Sequence, residues 1–156
     1  MTSAIEGLEG VVAAETVLSQ VDGERGELII RGLPLEVLAR RGFEGAATLL
    51  WDGFVAAEPG APPLARRLAS AREPAHDVIT RWLSAARGRS IAEGVRLALA
   101  TLPDSASAVE IAAALPVALA ALLRARQGLA PVAPDPRSST AADFLRMLRG
   151  TAASEA

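Results

Sequence analysis

Residues 107–127 read SAVEIAAALPVALAALLRARQ, and this stretch decides the fold. Ser107 and Glu110 have the spacing of a capping box, in which the serine hydroxyl and the glutamate carboxylate satisfy each other's backbone N–H groups at a helix start. Arg124 and Arg126 fall in the last turn, where they meet the negative end of the helix dipole. Gly128 with Leu129 behind it suits a Schellman-type end. Between these signals the segment IAAALPVALAALL is apolar on every face, so the helix is expected to be buried all round. Its alanines let neighbouring helices approach closely. Pro116 removes one donor and leaves one carbonyl unpaired, which predicts a kink. A chain of 156 residues has trouble enclosing such a helix completely, whereas a subunit interface does so readily. The uncharged run falls well short of the ~20 residues of a membrane span.

Upstream of this helix the pattern is helical back to Gly32. Ser90 and Glu93 form a second capping box, and Ile91, Val95, Leu99 and Leu102 continue that helix to Pro103. Pro74 reads as the start of a helix whose Val78, Ile79, Trp82, Leu83 and Ala86 line one face. Pro63 starts another over Leu64 and Leu68. Phe43, Ala46, Ala47 and Leu50 follow i, i+3, i+4, i+7 spacing, and Gly53 stops that helix. Leu35 and Leu38 give a short helix after Pro34. Before Gly32 the chain is β-prone. Asp22-Gly23, between two apolar stretches and followed by Gly26, predicts a hairpin, with a third strand expected around residues 11–15. An isolated hairpin is marginal, so it needs helices or another chain to lean on.

Downstream, LAPVAPDPRS (129–138) is a proline-rich connector. Ser139 to Asp143 then caps a short helix carrying Phe144, Leu145, Met147 and Leu148, which Gly150 ends. The organisation read from the sequence is a hairpin segment (1–32), a helical part (33–150) and a small polar tail (151–156). The fold class is mainly α.

The inventory of reactive groups is short. There is no cysteine and no lysine, all 16 basic residues are arginine, and His76 is the one histidine. Thiol nucleophiles, disulfides, cysteine metal sites, Schiff bases and Walker-type lysines are therefore excluded. One histidine cannot supply a pair of imidazole ligands, and arginine is a poor base. Net charge is −2, and five Phe and Trp residues provide no stacking platform beside a basic stripe. No nucleic-acid partner is expected. MTSAIEGLEG is acidic and unlike a signal peptide. With no membrane span expected either, the reading is a cytoplasmic protein.

The individual candidates all favour structural roles. His76, in EPAHD, sits at an expected helix start as a surface or capping residue. Asp77 beside it is poorly placed to orient its ring, because successive helical residues diverge. Glu15, Asp22, Glu24 and Glu27 lack the spacing of a calcium loop and read as a solvated hairpin tip. Arg31, before Gly32, reads as an anchor between the hairpin and nearby helix ends. No catalytic, cofactor-binding or metal-binding residue is assigned.

Three stretches together resemble the citrate synthase family in its bacterial citrate and 2-methylcitrate synthase forms. They are GLEGVVAAETVLSQVDGERGELIIRGLPLEVLA (7–39), FEGAATLLWDG (43–53), and AALPVALAALLRARQGLAPVAPDP (113–136) running into AADFLRMLRG (141–150). The resemblance implies N-terminal helices of that family's large domain, preceded by a short antiparallel β-hairpin. It also implies an acyltransferase reaction joining an acyl-CoA such as acetyl-CoA to oxaloacetate or another 2-oxo acid, as in the tricarboxylic acid cycle. The acyl-CoA is then a substrate and no bound cofactor is implied. The implied partner is a second copy or a complementary citrate synthase-like chain, meeting this one through the helix from Ser107 to Gln127. In the family, catalysis uses two histidines and an aspartate in segments that follow the Phe-Leu-x-Met-Leu helix, and no residue here matches them. The chain departs from the family pattern at 89–91, where Arg-Ser-Ile replaces the usual His-Pro-Met, and at Ile30, where tyrosine is usual. Two other readings stay open beside the acyltransferase: a non-catalytic dimerisation or regulatory module, and a truncated relic.

Overall fold

The computed structural model describes residues 15–55, 57 and 59–150. These fall into two compact units that divide between Arg40 and Arg41.

The first unit is a three-stranded antiparallel sheet, ordered β1 (Ser19–Asp22), β2 (Glu27–Ile30), β3 (Leu33–Pro34), followed by the short helix α1 (Leu35–Ala39). Strands β1 and β2 pair from Ser19 opposite Ile30 to Asp22 opposite Glu27. The four-residue tip between them is closed by Asp22, whose Oδ1 accepts the Glu24 and Arg25 backbone N–H groups at 3.1 and 3.0 Å. The third strand lies on the other side from the expected one. Glu15 is outside any strand, and residues 11–14 lie outside the described residues. Instead Arg31 and Gly32, at φ +51° and +79°, form a two-residue turn that brings Leu33 opposite Ile30. Two left-handed residues in a row give the turn whose twist suits paired strands. Arginine tolerates that conformation poorly, which is why the turn is hard to see in the sequence.

The second unit comprises α2 (Gly42–Trp51), α3 (Leu64–Trp82) with a 3-10 turn at Leu83–Ala86, α4 (Ile91–Ala100), α5 (Ala108–Arg126) and α6 (Thr140–Arg149). Helices α3, α4 and α6 pack around α5. The core joins Ala75 and Ile79 of α3, Ala98 of α4, Met147 of α6, and Ala114, Val117, Ala118 and Ala121 of α5. Alanine at these crossings keeps the backbones close, so contact is made by dense packing of small groups.

The local signals behave as their chemistry dictates. Ser90 and Ser107 both close their capping boxes: each backbone N–H donates to its glutamate at 2.7 Å, and each hydroxyl accepts from the glutamate's N–H. The end of α5 is a Schellman motif, with the Leu129 N–H on the Arg124 carbonyl, the Gly128 N–H on the Ala125 carbonyl, and Gly128 at φ +73°.

Three expectations are corrected. Pro74 does not start a helix, because α3 runs unbroken through it. Pro74 and Ser70 are both exposed, so the carbonyl that the proline leaves without a donor lies on the wet side of the helix. Phe43 lies on the open side of α2, 48% exposed, and only Ala47 of its apolar set is buried. Helix α5 is not buried all round. It continues through Pro116, and one side of it stays open, with Ile111 and Leu115 each 41% exposed.

Candidate functional site

The connector between α5 and α6 carries prolines at 131, 134 and 136. A segment with so few N–H groups forms no ladder of its own, and its carbonyls need outside donors. Arginine supplies them. Arg124 at the end of α5 donates from Nε to the Ala130 carbonyl (2.7 Å) and from Nη1 to the Leu148 carbonyl (3.2 Å). Arg146 of α6 donates to the Ala133 carbonyl. Arg72 of α3 donates from Nη2 to the Asp135 and Ser138 carbonyls, at 3.1 and 2.7 Å.

Arg72 is also half of a buried ion pair. It is 1% exposed and Asp143 of α6 is fully buried. Arg72 Nε and Asp143 Oδ2 lie 2.8 Å apart as an ion pair, and neither atom has a hydrogen-bond partner among the described residues. Arg72 Nη1 reaches Thr140 Oγ1 at 3.4 Å. Asp143 Oδ1 accepts from the Asp135 N–H (3.0 Å) and from Arg146 Nε and Nη2 (3.0 and 2.8 Å). The first N–H of α6, at Thr140, donates to Glu44 of α2 at 2.6 Å. Burial works to raise the Glu44 carboxyl, but the Thr140 hydrogen bonds outweigh it and hold it below the usual range. At the surface, Arg137 hydrogen bonds hold Asp135 down at about 2. Asp143 Oδ1 accepts from three donors, and Oδ2 is held by its ion pair with Arg72. The cluster therefore fixes the start of α6 against α3.

The residues singled out from sequence do not converge. His76 is a correction: because α3 runs through Pro74, it lies inside that helix instead of at its start. Its side chain is 18% exposed, its Nε2 is buried without a hydrogen-bond partner, and Nδ1 stands 3.9 Å from Asp77 Oδ1. That last distance is too long for a hydrogen bond. Asp22 is spent on its own turn, and Glu27 pairs with Arg25 at 3.3 Å on the surface. Among the described residues no group of three or more potential ligands could hold a metal ion. Arg31 forms the β2–β3 turn, with its N–H on the Leu18 carbonyl. Arg126 donates to the Arg89 carbonyl at 2.8 Å.

The sequence reading missed Arg72 and Asp143. Their signal was present: Arg72 falls between Leu68 and Ile79 on the apolar side of α3, and Asp143 falls between Thr140 and Met147 on that of α6. A charge on an apolar stripe calls for an opposite charge facing it.

The other distinctive surface is the open side of α5. Ile111 and Leu115 are exposed, and Leu115, Pro116 and Leu119 with Val95 of α4 and Phe144 of α6 line a shallow apolar depression of about 260 Å³. By length and composition α5 could also cross a membrane, with 44% of its most apolar window buried inside the protein. Its packing against three helices accounts for much of that apolarity.

The family profile described as "Citrate synthase, C-terminal domain" matches residues 7–156. This chain belongs to the citrate synthase family. The citrate synthase of Haloferax volcanii is 33% identical over 168 residues, covering 92% of this chain and 43% of that protein. A 2-methylcitrate synthase of Mycobacterium tuberculosis is 31% identical over 157 residues, covering 93% and 40%. Among solved structures, citrate synthase from Thermotoga maritima superposes with a TM-score of 0.63 at 26% identity, covering 96% of this chain and 42% of that one. Citrate synthase from Pyrobaculum aerophilum gives 0.63 at 28%, covering 97% and 43%. The chain thus spans about two-fifths of the length of the relatives it matches. The citrate synthase fold accounts for both observed features: a mainly helical body and a small antiparallel sheet before it.

Proposed function

We propose that this chain is the N-terminal scaffold of a citrate synthase-type acyltransferase, contributing helices and an assembly surface while the catalytic groups come from elsewhere. The reaction served joins an acyl-CoA to oxaloacetate or another 2-oxo acid, giving citrate or methylcitrate and free CoA, in the cytoplasm. The observation that carries this reading is the contrast within α5. Its inner side is closed by three helices, and its outer side presents uncharged aliphatic residues to solvent. The committed hydrogen bonds of Asp143 and the isolation of His76 support the non-catalytic half of the proposal.

The occupant proposed for the outer side is a second copy of the chain. Ile111, Leu115 and Leu119 repeat at nearly one-turn spacing with Ala108 and Ala112 beside them, and no charge falls between Glu110 and Arg124. A stripe of this kind is self-complementary under a two-fold axis, as an isologous interface requires.

The test is release of free CoA from acetyl-CoA and oxaloacetate. The purified chain alone gives none, and turnover by the chain alone contradicts the scaffold reading. Adding a polypeptide that carries the family's histidine segments restores turnover. If the two associate without turnover, the chain is a dimerisation or regulatory module instead.

A further inference from the structure

A second feature is independent of the acyltransferase reading. Where the end of α5 meets the start of α4, a cavity of about 350 Å³ opens beside the 3-10 turn. Its lining includes the aliphatic side chains of Leu83, Ile91 and Leu122 together with the exposed Arg87, Arg89 and Arg126. The volume is that of a small-molecule site. No acidic side chain lines it.

The three guanidinium groups are only partly used by the protein. Arg89 Nε donates to the Ala85 carbonyl at 3.1 Å, and Arg126 Nη2 donates to the Arg89 carbonyl at 2.8 Å. These bonds fix two of the lining side chains and leave their other N–H groups free among the described residues. The Arg87 side chain makes no hydrogen bond or ion pair with any described residue. The carboxylate of Glu93, which feels the field of Arg89, is turned away to the Ser90 N–H at 2.7 Å. Three positive forks therefore share one cavity without an ion-paired carboxylate. Guanidinium forks match the geometry of carboxylate and phosphate oxygens, and the aliphatic lining accepts a short hydrocarbon body.

We propose that this cavity binds a small organic oxyanion carrying two or more negative charges on a short aliphatic body, either a di- or tricarboxylate or an organic phosphate. The absence of an aromatic residue in the lining argues against a base or ring as the recognised part.

The experiment is calorimetric titration of the full chain with tricarballylate and, separately, with glycerol 3-phosphate, at constant ionic strength, against sodium chloride as control. Saturable binding at about 1 mM or tighter by tricarballylate alone identifies a carboxylate ligand, and by glycerol 3-phosphate alone a phosphate ligand. Arg87→Gln touches no hydrogen bond of the fold and should weaken whichever binds by about three- to tenfold. Arg126→Gln should do the same, and an unchanged thermal midpoint for Arg87→Gln guards against misreading a folding defect. Absence of saturable binding by both probes overturns the proposal, as does binding that Arg87→Gln leaves unaltered. None of these readouts depends on turnover, so they stand or fall apart from the scaffold reading.

Discussion

The inner and outer sides of α5 are made of different materials. Facing α3, α4 and α6 are Ala113, Ala114, Val117, Ala118 and Ala121, all buried, in a core whose neighbouring seam is locked by the Arg72–Asp143 pair. Facing outward are Ile111 and Leu115, larger and each 41% exposed. Alanine dominates the buried side, with Val109, Val117 and Leu122 among it, while large aliphatic groups also stand on the open side, where a surface helix usually carries polar ones. The inner side is finished, with small groups packed closely and the connector carbonyls of Ala130, Ala133, Asp135 and Ser138 each bonded to an arginine. The outer side is unfinished, and only a further surface would remove its aliphatic groups from water.

Breaking the inner side should cost stability without touching assembly. Asp143→Ala leaves Arg72 buried without its partner and should lower unfolding free energy by about 3–5 kcal/mol, read by urea denaturation. The double substitution Arg72→Met with Asp143→Leu removes both charges and should recover most of that loss, because well-packed apolar groups replace a buried pair at little cost. If the double variant is as unstable as the single one, the loss comes from connector carbonyls deprived of their donors and not from an unpaired charge. Ala118→Leu overfills the helix crossing and should cost about 1–3 kcal/mol by the same assay. Ser107→Ala removes one cap and should cost about 1 kcal/mol.

Acid sharpens the same contrast. The Glu44, Glu93 and Glu110 carboxyls are all held below their ordinary values, the first by Thr140 against burial and the others by their capping serines. Asp135 is held at about 2. A carboxyl lowered in the folded state contributes stability that is full above its unfolded pKa and is lost as pH falls through its folded one. The thermal midpoint should therefore hold down to about pH 5 and fall from there towards pH 2. Glu44→Gln should make that fall shallower, and an identical acid profile for this variant would contradict the role given to the Thr140 contact.

What could be read in the sequence follows the range of the interactions. Capping boxes at Ser90 and Ser107 and the Gly128 end are local, so spacing alone reveals them. The citrate synthase resemblance rested on several such stretches in order. The β2–β3 turn was hidden because Arg31 occupies a left-handed position that normally announces itself with glycine or asparagine. Pro74 misled because proline is at home in a first helical turn, and only the tertiary structure shows its side of α3 to be wet. The Arg72–Asp143 pair joins two helices far apart in sequence. Each partner could be noticed as a charge on an apolar stripe, but nothing local says that they meet.

The central claim, that the outer side of α5 is built to be covered by a second copy, is tested most directly by sedimentation equilibrium of the chain beside Leu115→Glu. Leu115 is exposed within a single chain, so the substitution should leave the unfolding midpoint of the monomer nearly unchanged. In a dimer it would bury an uncompensated charge. The account predicts a dimer for the native chain and a folded monomer for Leu115→Glu. A native chain that is monomeric at every concentration, or a variant that dimerises as well as the native chain, would contradict it.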